Sequence, residues 1–321
     1  MDPMVVGIDI AKRKFDVALL MGEKAKSGAF HNTPEGFAMC ARWLERNGAE
    51  RIHACMEATG TYGEELALYL HRAGHVVSVV NPAKVKGFAQ SELSRTKTDK
   101  ADAALIARFC RAMRPEAWQP PTPEIKELQC LVRRLESLND MLTQERNRLA
   151  TTEGMARGSV ERTITHLQEE IRTTRRLIRQ YVGQDPDLRG KRDLLESIPG
   201  IGPATSAMIL AEFGDVARFQ DARRMASFCG LTPRQRQSGS SVRGKTMLSK
   251  TGSSRIRKAL FLPALVAMKH NPLVAQLCER LRGYGKCPMV IVGAAMRKLV
   301  HIVFGVLKNG LPFDPSIAVA N

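Results

Sequence analysis

The stretch MVVGIDIAKRKFDVALLM, residues 4–21, decides the fold class of the first third of the chain. It holds two apolar runs rich in β-branched residues, MVVGIDIA and KFDVALLM, joined by a short polar turn, which is typical of two consecutive β-strands. Outward from this pair, KSGAFHN, RIHACMEA and HVVSVVNP are predicted strands, and TPEGFAMCARWLERNG, TYGEELALYLHRAG and DKADAALIARFCRAM are predicted helices. Three strands followed by alternating helices and strands predict an α/β domain with a mixed sheet at residues 1–118.

A proline-rich segment, RPEAWQPPTPE, marks a boundary near residues 114–124, and beyond it the hydrophobic period changes. Apolar residues then recur at alternating steps of three and four on both sides of a predicted turn, TTEGMARGS, with one position in each half filled by a polar residue, Glu145 or Thr174. The apolar positions are Leu128, Leu131, Leu135, Leu138, Leu142 and Leu149 before the turn, and Val160, Ile164, Leu167, Ile171, Ile178 and Tyr181 after it. This spacing predicts two heptad helices in an antiparallel coiled-coil arm at residues 119–184. The narrow apolar seams favour a projecting arm that joins subunits, and the alternative is a helical hairpin packed on its own domain.

The third region, residues 185–321, is predicted to be mainly α-helical. Its segment LLESIPGIGPATSAMILAEFGDV has two apolar helices around a P-G-I-G-P turn, which is the helix-hairpin-helix pattern. In this pattern Gly200 and Gly202 would let the backbone approach a phosphate, and the amides at the start of the second helix would face the anion. The alternative is an ordinary helical corner of a protein core.

The charge of the chain points to an anionic polymer as its partner. Lys and Arg number 49 against 32 Asp and Glu, a formal net charge of +17, which favours nucleic acid over an anionic membrane. The apolar stretch PMVIVGAAMRKLVHIVFGVL contains Arg297, Lys298 and His301, so we expect a packed helix and no membrane partner. No signal peptide is predicted, and seven scattered cysteines without a C-x-x-C pair indicate reduced thiols and a cytoplasmic location.

Four carboxylates occupy positions where a sheet and a helix can converge. Asp9 follows the apolar strand VVGI, Glu57 ends the strand RIHACME, and a predicted helix begins with Asp99 and Asp102 on one face. Hard oxygen ligands in this number suit Mg²⁺ or Mn²⁺, and two ions about 4 Å apart would support phosphoryl transfer. The structural alternatives are an N-cap for Asp99, a first-turn position for Asp102 and a surface arginine paired with Glu57. Asp9 is the hardest to explain structurally, because a carboxylate that ends a buried strand is costly unless coordinated or hydrogen-bonded.

A second polar stretch is PRQRQSGSSVRGK, residues 233–245, in which three serines stand among cations. No Asp or Glu occurs from Ala222 to Cys278, so we expect this region to present hydroxyls and positive charge to an anionic polymer. The side chains predicted to contact nucleic acid here are Arg234, Arg236, Arg243, Lys245, Lys250, Arg255, Arg257 and Lys258. Close to Asp9 in sequence are Lys12, Arg13 and Lys14, for which contact with RNA and contact with DNA both stay open.

Four segments carry a resemblance to a known family: VVGIDIAKRKFDVALL, MEATGTYGEELALYL, VVNPAKVKGFAQSELSRTKTDKADAALIARF and IPGIGPATSAMILAE…FCGLTPRQRQSGSSVRGKTMLSKTGSSRIRKAL. In order and spacing, over essentially the whole chain, they resemble the DEDD transposases of insertion-sequence family one-ten. The resemblance implies a RuvC-like domain of ribonuclease-H-like fold, a coiled coil and a C-terminal transposase domain. Carried over by position, the family's acidic tetrad falls on Asp9, Glu57, Asp99 and Asp102, and its serine falls on Ser238, with Ser240 and Ser241 as alternatives.

The resemblance also implies a reaction and partners. Such enzymes cut and rejoin DNA at element ends and targets, directed by a structured RNA that the element encodes. Serine is a poor nucleophile without a base or metal, and the stretch around Ser238 offers neither, so the distant acids would complete a composite site. The arm would bring subunits of a dimer or tetramer together, and a phosphoserine–DNA link would conserve the bond energy for rejoining.

Other functions stay open on the residues alone. A RuvC-like metal-dependent nuclease, such as a junction resolvase, would hydrolyse DNA without a covalent intermediate and would leave the serine stretch without a role. A non-catalytic nucleic-acid-binding scaffold would leave Asp9 and the pair Asp99 and Asp102 unexplained. The start GIDIAKRKFDVAL is similar to the phosphate loop of sugar kinases, but no glycine-rich adenosine motif follows it.

Overall fold

The computed structural model describes residues 3–58, 60–92, 98–235 and 246–316, together with the backbone of the short strands at 237–238 and 242–243. The chain divides into two compact units, Met1–Pro120 and Pro121–Asn321. The first boundary lies two residues from the predicted end of the α/β domain. The predicted separation of an arm from a C-terminal domain at residue 184 has no counterpart in this division, because the helical hairpin shares the core of the second unit.

The first unit is a mixed sheet with helices. Its elements in chain order are β1 (Met4–Ile10), β2 (Lys14–Met21), β3 (Lys24–His31), α1 (Pro34–Arg46), β4 (Ile52–Glu57), α2 (Glu64–Arg72), β5 (Val76–Val80), α3 (Pro82–Ser91) and α4 (Asp99–Met113). The sheet order is β3-β2-β1-β4-β5; β1 pairs antiparallel with β2 and parallel with β4. All five predicted strands and three predicted helices are present, and α3 was missed. Pro82 does not end a strand there, because it occupies the first turn of a helix that Asn81 caps by accepting from the Ala83 amide.

The sheet of the first unit is buried on both faces. Val6 and Ile8 of β1 pack with Phe37, Leu44 and Leu66 from α1 and α2. On the opposite face, small residues of α4 lie against β2, and longer apolar side chains of α4 pack with β4 and β5. Helices on both faces of a sheet that includes parallel strands are the layered arrangement predicted from the strand and helix order.

The second unit is mainly helical. Its helices are α5 (Pro123–Leu149), α6 (Met155–Gln184), α7 (Pro186–Glu196), α8 (Pro203–Phe213), α9 (Ala222–Phe228), α10 (Ser254–Ala259), α11 (Phe261–His270), α12 (Pro272–Gly283) and α13 (Pro288–Asn309), with one 3-10 turn at Val216–Arg218. Four two-residue strands, which the sequence did not predict, are β6 (Pro233–Arg234), β7 (Gln237–Ser238), β8 (Val242–Arg243) and β9 (Met247–Leu248). Strand β6 pairs with β9 and β7 with β8, both antiparallel.

Helices α5 and α6 form the predicted hairpin, and its two halves differ in their surroundings. Near its base, Leu128 and Ile178 belong to the large apolar core of the second unit. Farther along, Leu138 and Leu142 of α5 pack only with Leu167, Ile171 and their neighbours of the hairpin itself, in a separate cluster. The base therefore packs on its own unit, as the alternative had it, and the role of the distal half in joining subunits stays a prediction.

Helix α13 is the central core helix of the second unit. Among the described helices it alone is long and apolar enough to cross a membrane, and 61% of its most apolar window is buried inside the protein. Ala295, Leu299, Val300 and Val303 are fully buried against neighbouring helices. The packed helix predicted from the polar residues inside this segment is what the structure contains.

Candidate functional site

Asp9 and Glu57 come to the same edge of the sheet because their strands run parallel. The ladder pairs Gly7 with Cys55 and Ile8 with Met56, so β1 and β4 reach this edge in step. Both carboxylates lie at the ends of apolar strands and are half-buried. The sequence predicted this placement from the strand ends alone.

Helix α4 brings Asp102 to the same edge, and Gly7 is the residue that lets it do so. A Cβ on Gly7 would collide with the carbonyl oxygen of Ala103 and the amide nitrogen of Ala107. The backbone of α4 therefore lies directly on β1, two residues before Asp9 and one residue after Asp102. This glycine was not singled out in the sequence, because its role depends on which helix crosses the strand.

The N-terminus of α4 is capped by Thr98, whose hydroxyl accepts from the Ala101 amide at 3.2 Å. Asp99 is thus the first helical residue and not the cap that the structural alternative supposed. Asp102 occupies the first turn, where a carboxylate is stabilised by the helix dipole as well as placed near Asp9. A structural role and a chemical role are compatible at this position.

The charges of the acids interact unfavourably. Burial raises the pKa of Asp9, and the negative charges of Asp102, Asp99 and Asp16 raise it further. The pKa of Glu57 is also raised, first by burial and then by the charges of Asp9 and Asp102. Like charges held close in a half-buried place cost stability unless a cation joins them, so the arrangement points to a function.

Lys14 is the cation that the structure places against this cluster. Its Nζ donates to Asp99 at 2.7 Å and to Asp16 at 3.1 Å. These hydrogen bonds lower the pKa of Asp99 and raise that of Lys14 to about 12. From the sequence, both RNA and DNA were possible partners of Lys14. In the structure its partners are two carboxylates of the protein, Asp16 and Asp99.

Asp16 is an acid that sequence reasoning missed. It lies directly opposite Asp9 in the antiparallel ladder of β1 and β2. The signal was present, because a short turn between MVVGIDIA and KFDVALLM fixes the register of the hairpin and so the residue that faces Asp9. The cluster at this edge therefore has five carboxylates, of which four were predicted.

The side chains offer hard oxygen donors of the kind that divalent cations prefer. Among the described residues, no group of three His, Cys, Asp or Glu side chains is already arranged tightly enough to hold a metal ion. Asp99 is held by Lys14, whereas no ion pair is recorded for Asp9, Glu57 or Asp102 within the described chain. The chemistry of the donors fits a divalent ion, and binding it would draw the carboxylates together.

The predicted serine and most of its neighbours can be placed only in part. Backbone pairing sets Ser238 of β7 opposite Val242 and Gln237 opposite Arg243 of β8, and the side chains of all four lie outside the described part of the chain. Outside the described residues altogether are Arg236, Ser240, Ser241 and Lys245. Arg234 and Lys250 are described and exposed, Lys250 with a left-handed φ of 54°.

The other predicted nucleic-acid contacts already have partners in the protein. Arg255 donates to Glu136 at 2.7 Å and pairs with Glu212 at 2.8 Å. Lys258 pairs with Asp140 at 3.2 Å, and Arg257 donates to the carbonyl oxygen of Cys229 at 3.1 Å. The segment from Ala222 to Cys278 contains no acidic residue, but in the folded protein α5 and α8 place carboxylates next to its cations.

The two glycines of the predicted hairpin corner have different roles. Gly200 has a φ of 105°, and a Cβ there would come within 2.9 Å of the Pro263 carbonyl oxygen and of the Ala267 Cβ on α11. Its absence of a side chain serves internal packing, which is the structural alternative. Gly202 is exposed with open space around it, precedes α8 and provides no side-chain cap, so this helix start remains accessible.

Comparison with known proteins shows which family the chain resembles. A transposase model of the DEDD type of IS110 matches residues 6–152, and a model described as the transposase IS116/IS110/IS902 family matches residues 192–279. The chain is 34% identical to the pilin gene-inverting proteins of Moraxella bovis and Moraxella lacunata over 320 residues, which is 99% of each chain. It is 24% identical over 308 residues to the transposase for insertion sequence element IS1111A of Coxiella burnetii, covering 84% of this chain and 79% of that one.

The matched domain accounts for the first unit. A DEDD transposase domain has a ribonuclease-H-like fold, with which the mixed sheet and its helices agree, and it depends on divalent metal. Enzymes of this kind cut and rejoin DNA, and the predicted resemblance is confirmed. The chain belongs to the IS110/IS116/IS902 family of transposases and recombinases.

Proposed function

We propose that this transposase uses Asp9, Glu57, Asp99 and Asp102 as one metal-binding set and Ser238 as the nucleophile that joins transiently to DNA. The observation that supports it most strongly is the convergence of Asp9, Glu57 and Asp102 at one half-buried sheet edge, where burial and then the repulsion between the acids raise the pKa values of Asp9 and Glu57. A protein that only bound DNA would have no use for a group of like charges that lowers its stability.

The four carboxylates would hold Mg²⁺, or Mn²⁺, with two ions per site. Such ions, when bound, supply positive charge that stabilises the attacked phosphate and the leaving oxygen. Asp9 and Glu57 would bind in their ionised forms, and the cation would offset the burial and the repulsion that raise their pKa values. Asp99 would exchange the Lys14 ammonium for the ion, which frees Lys14 for the DNA phosphate.

In the proposed chemistry, the Ser238 hydroxyl oxygen bonds to phosphorus as one phosphorus–oxygen bond of the DNA backbone breaks. The serine gives up its proton, and the leaving oxygen takes one up. Attack by the hydroxyl of an incoming strand then reverses these steps and releases the serine. The guanidinium and ammonium groups of Arg234, Arg236, Arg243 and Lys245 would neutralise the phosphate during both steps.

The proposed partners follow from the resemblance. The enzyme would act on element ends and target DNA under the direction of an element-encoded structured RNA, in the cytoplasm and at the nucleoid. The distal half of the α5–α6 hairpin would join subunits into a dimer or tetramer. In that assembly the acids and Ser238 of one composite site could come from different subunits.

The test is strand rejoining by the purified full-length protein. Labelled DNA carrying the element junction is incubated with its RNA, with Mg²⁺ or with a chelator, using wild-type protein and Asp102→Asn. We expect rejoined product only with wild-type protein, RNA and Mg²⁺. Rejoining that survives in the chelator, or in Asp102→Asn, would contradict the role of the acids, and rejoining without RNA would contradict guidance.

A metal-dependent nuclease that hydrolyses DNA is the second candidate, since the same acid cluster supports it. It differs in its product, because hydrolysis leaves cut ends that are never rejoined. Cleavage by wild-type protein without rejoined product, under all the conditions above, would favour it. Binding of DNA with no cleavage at all would favour the scaffold.

A further inference from the structure

The second unit contains a cleft of about 900 Å³ that the serine chemistry does not use. It lies between the hairpin helices α5 and α6 on one side and α8, α10 and α11 on the other. Its apolar lining includes the buried side chains of Val132, Ile178 and Met208. At its margin Phe261 is 36% and Leu262 68% exposed, so the apolar lining continues to the mouth of the cleft.

The acids that line the cleft are already engaged. Glu136 accepts from Arg255, Asp140 pairs with Lys258, and Glu196 accepts from the buried Ser206 hydroxyl at 2.8 Å. Glu136 and Asp140 are thus neutralised by cations, whereas Glu196 is bonded to a neutral hydroxyl and keeps its negative charge. Glu136 and Asp140 also anchor the cleft walls, since they belong to α5 and their cationic partners to α10.

The cations on the α6 side are not engaged in this way. Arg175 and Arg179 line the cleft one helical turn apart, are exposed, and have no ion pair within the described chain. Ala204 and Thr205, in the first turn of α8, line the cleft as well, and that helix start carries partial positive charge without a side-chain cap. The cleft thus combines an apolar interior with two unpaired guanidinium groups, and it suits a ligand that is apolar in one part and anionic in another.

A nucleotide has this composition, and the size agrees. A volume of about 900 Å³ is within the range of sites that bind small molecules and is too small for a folded partner. The family acts on DNA, so nucleic acid is the anionic polymer that the protein meets. In a duplex the bases are stacked out of reach, so only a base turned out of the stack could enter.

We propose that this cleft binds one unstacked nucleotide of a single-stranded stretch, with the base against Ile178 and Met208 and the phosphate on Arg175 and Arg179. The inference rests on the action of the family on nucleic acid and does not depend on the serine mechanism. The exposed start of α8 lines the cleft, so the helix-hairpin-helix corner would contact the nucleotide through this helix start. Gly200 would take no part, because it serves internal packing. In this role the cleft would hold a displaced strand during the reaction.

The test compares two probes that differ only in their bases. Full-length protein is titrated with a fluorescent twelve-nucleotide oligothymidylate and with the same strand made of abasic sites, which keeps every phosphate. We expect the abasic strand to bind about tenfold more weakly, because contact between a base and an apolar surface is worth roughly that factor. Equal binding of both strands by the wild-type protein would overturn the proposal.

Variants of the lining assign the preference to this cleft. Ala204→Phe fills the space from an exposed position, and Leu262→Ser removes an apolar contact at the margin; each is expected to reduce the base preference severalfold. Replacing both Arg175 and Arg179 with Gln is expected to weaken both probes alike and to reduce the salt slope of binding by about 1.4. Arg172→Gln is the matched control, because Arg172 lies on the same helix outside the cleft and pairs with Glu169.

Thermal unfolding checks that Ala204→Phe and Leu262→Ser stay folded. A base preference unchanged in both folded variants would place the bases elsewhere and overturn the proposal. A protein that fails to rejoin DNA but still distinguishes the two probes would refute the proposed serine chemistry and leave this cleft standing.

Discussion

Two charged regions of this protein are built on opposite principles. At the sheet edge of the first unit, Asp9, Glu57 and Asp102 bring like charges together in a half-buried place, and burial first and this repulsion second raise the pKa values of Asp9 and Glu57. In the second unit, Arg255 lies between Glu136 and Glu212, within 2.8 Å of each. Satisfied opposite charges hold a fold together, whereas repelling like charges cost stability and are retained where a ligand or reaction needs them. The difference predicts that the two regions respond to mutation in opposite ways.

The largest effect is expected in catalysis. Asp102→Asn should lower the rate of DNA cleavage about a thousandfold, since removing one ligand forfeits about 4 kcal/mol of transition-state stabilisation. It should leave the free energy of unfolding nearly unchanged, because the relief of repulsion on Asp9 and Glu57 offsets the lost interaction of the carboxylate with the helix dipole. Single-turnover cleavage and urea denaturation measure the two quantities. Asp16→Asn is the control, and a loss there as large as for Asp102 would mean that the active set was chosen wrongly.

Next in size is the effect of Gly7→Ala on the fold that carries the acids. The added methyl group would collide with the backbone of α4, so we expect the free energy of unfolding to fall by about 3 kcal/mol. Gly87→Ala is the control, because Gly87 lies in helix α3 with open space around it, and there alanine should stabilise slightly. Chemical denaturation of both variants decides, and an undisturbed Gly7→Ala protein would show that α4 does not lie on β1.

Removing a satisfied charge in the second unit should cost stability. Arg255→Gln leaves Glu136 and the mostly buried Glu212 without a cation, and we expect a loss of about 2 kcal/mol, between the values for exposed and buried pairs. Arg157→Gln, which breaks an exposed pair with Glu161, should change the free energy of unfolding by less than about 0.5 kcal/mol. If the two substitutions changed the free energy of unfolding equally, the ion pairs of Arg255 would not stabilise the second unit more than an exposed pair does.

Divalent metal should stabilise the first unit in a pH-dependent way. Mg²⁺ at ten times its dissociation constant should add about 1.4 kcal/mol to the free energy of unfolding at neutral pH. Without metal, the raised pKa values of Asp9 and Glu57 mean that the folded state binds protons more readily than the unfolded one, so stability falls as pH rises through those values. The gain from Mg²⁺ should therefore shrink as pH is lowered through the same range. Thermal unfolding with and without Mg²⁺ across pH tests this, and Asp9→Asn should abolish the gain.

The smallest effect is expected at Lys14. Because its ammonium holds Asp99, Lys14→Gln should tighten Mg²⁺ binding about twofold to threefold. The Mg²⁺ dependence of thermal unfolding reports the affinity without reference to activity. Lys12→Gln is the matched control, because Lys12 is an exposed lysine in the turn just before β2, and weaker Mg²⁺ binding in Lys14→Gln would show that Lys14 assists the ion.

The acids could be predicted from sequence to the extent that their positions follow local patterns. Asp9 and Glu57 end apolar strands, and Asp102 follows a helix cap, so strand ends and cap residues sufficed for them. Gly7 and Asp16 were missed because their importance arises from the helix and the strand that pack beside β1. Local sequence patterns predict the helices and strands and the residues at their ends. The residues that matter through contacts between these elements become visible only in the folded structure.

The basic region shows where such patterns fail. Arg255 and Glu136 are 119 residues apart, and nothing in either neighbourhood indicates that they pair. The sequence of this acid-free stretch therefore predicted side chains free to bind nucleic acid, whereas in the structure α5 and α8 supply carboxylates to it. Arg175 and Arg179 were passed over for the converse reason, since charged residues on a heptad helix are usually solvated and only the tertiary fold puts them beside a cleft.

The most direct test of the account is the search for DNA bound covalently to the protein. Wild-type protein, Ser238→Ala, Asp102→Asn and the neighbouring variants Ser240→Ala and Ser241→Ala are incubated with labelled junction DNA, its RNA and Mg²⁺, and then denatured. We expect protein-linked DNA with wild type and with both neighbouring variants, and none with Ser238→Ala or Asp102→Asn. Cleaved DNA without any linked species in wild type, and equally in Ser238→Ala, would contradict the account and leave a metal-dependent nuclease.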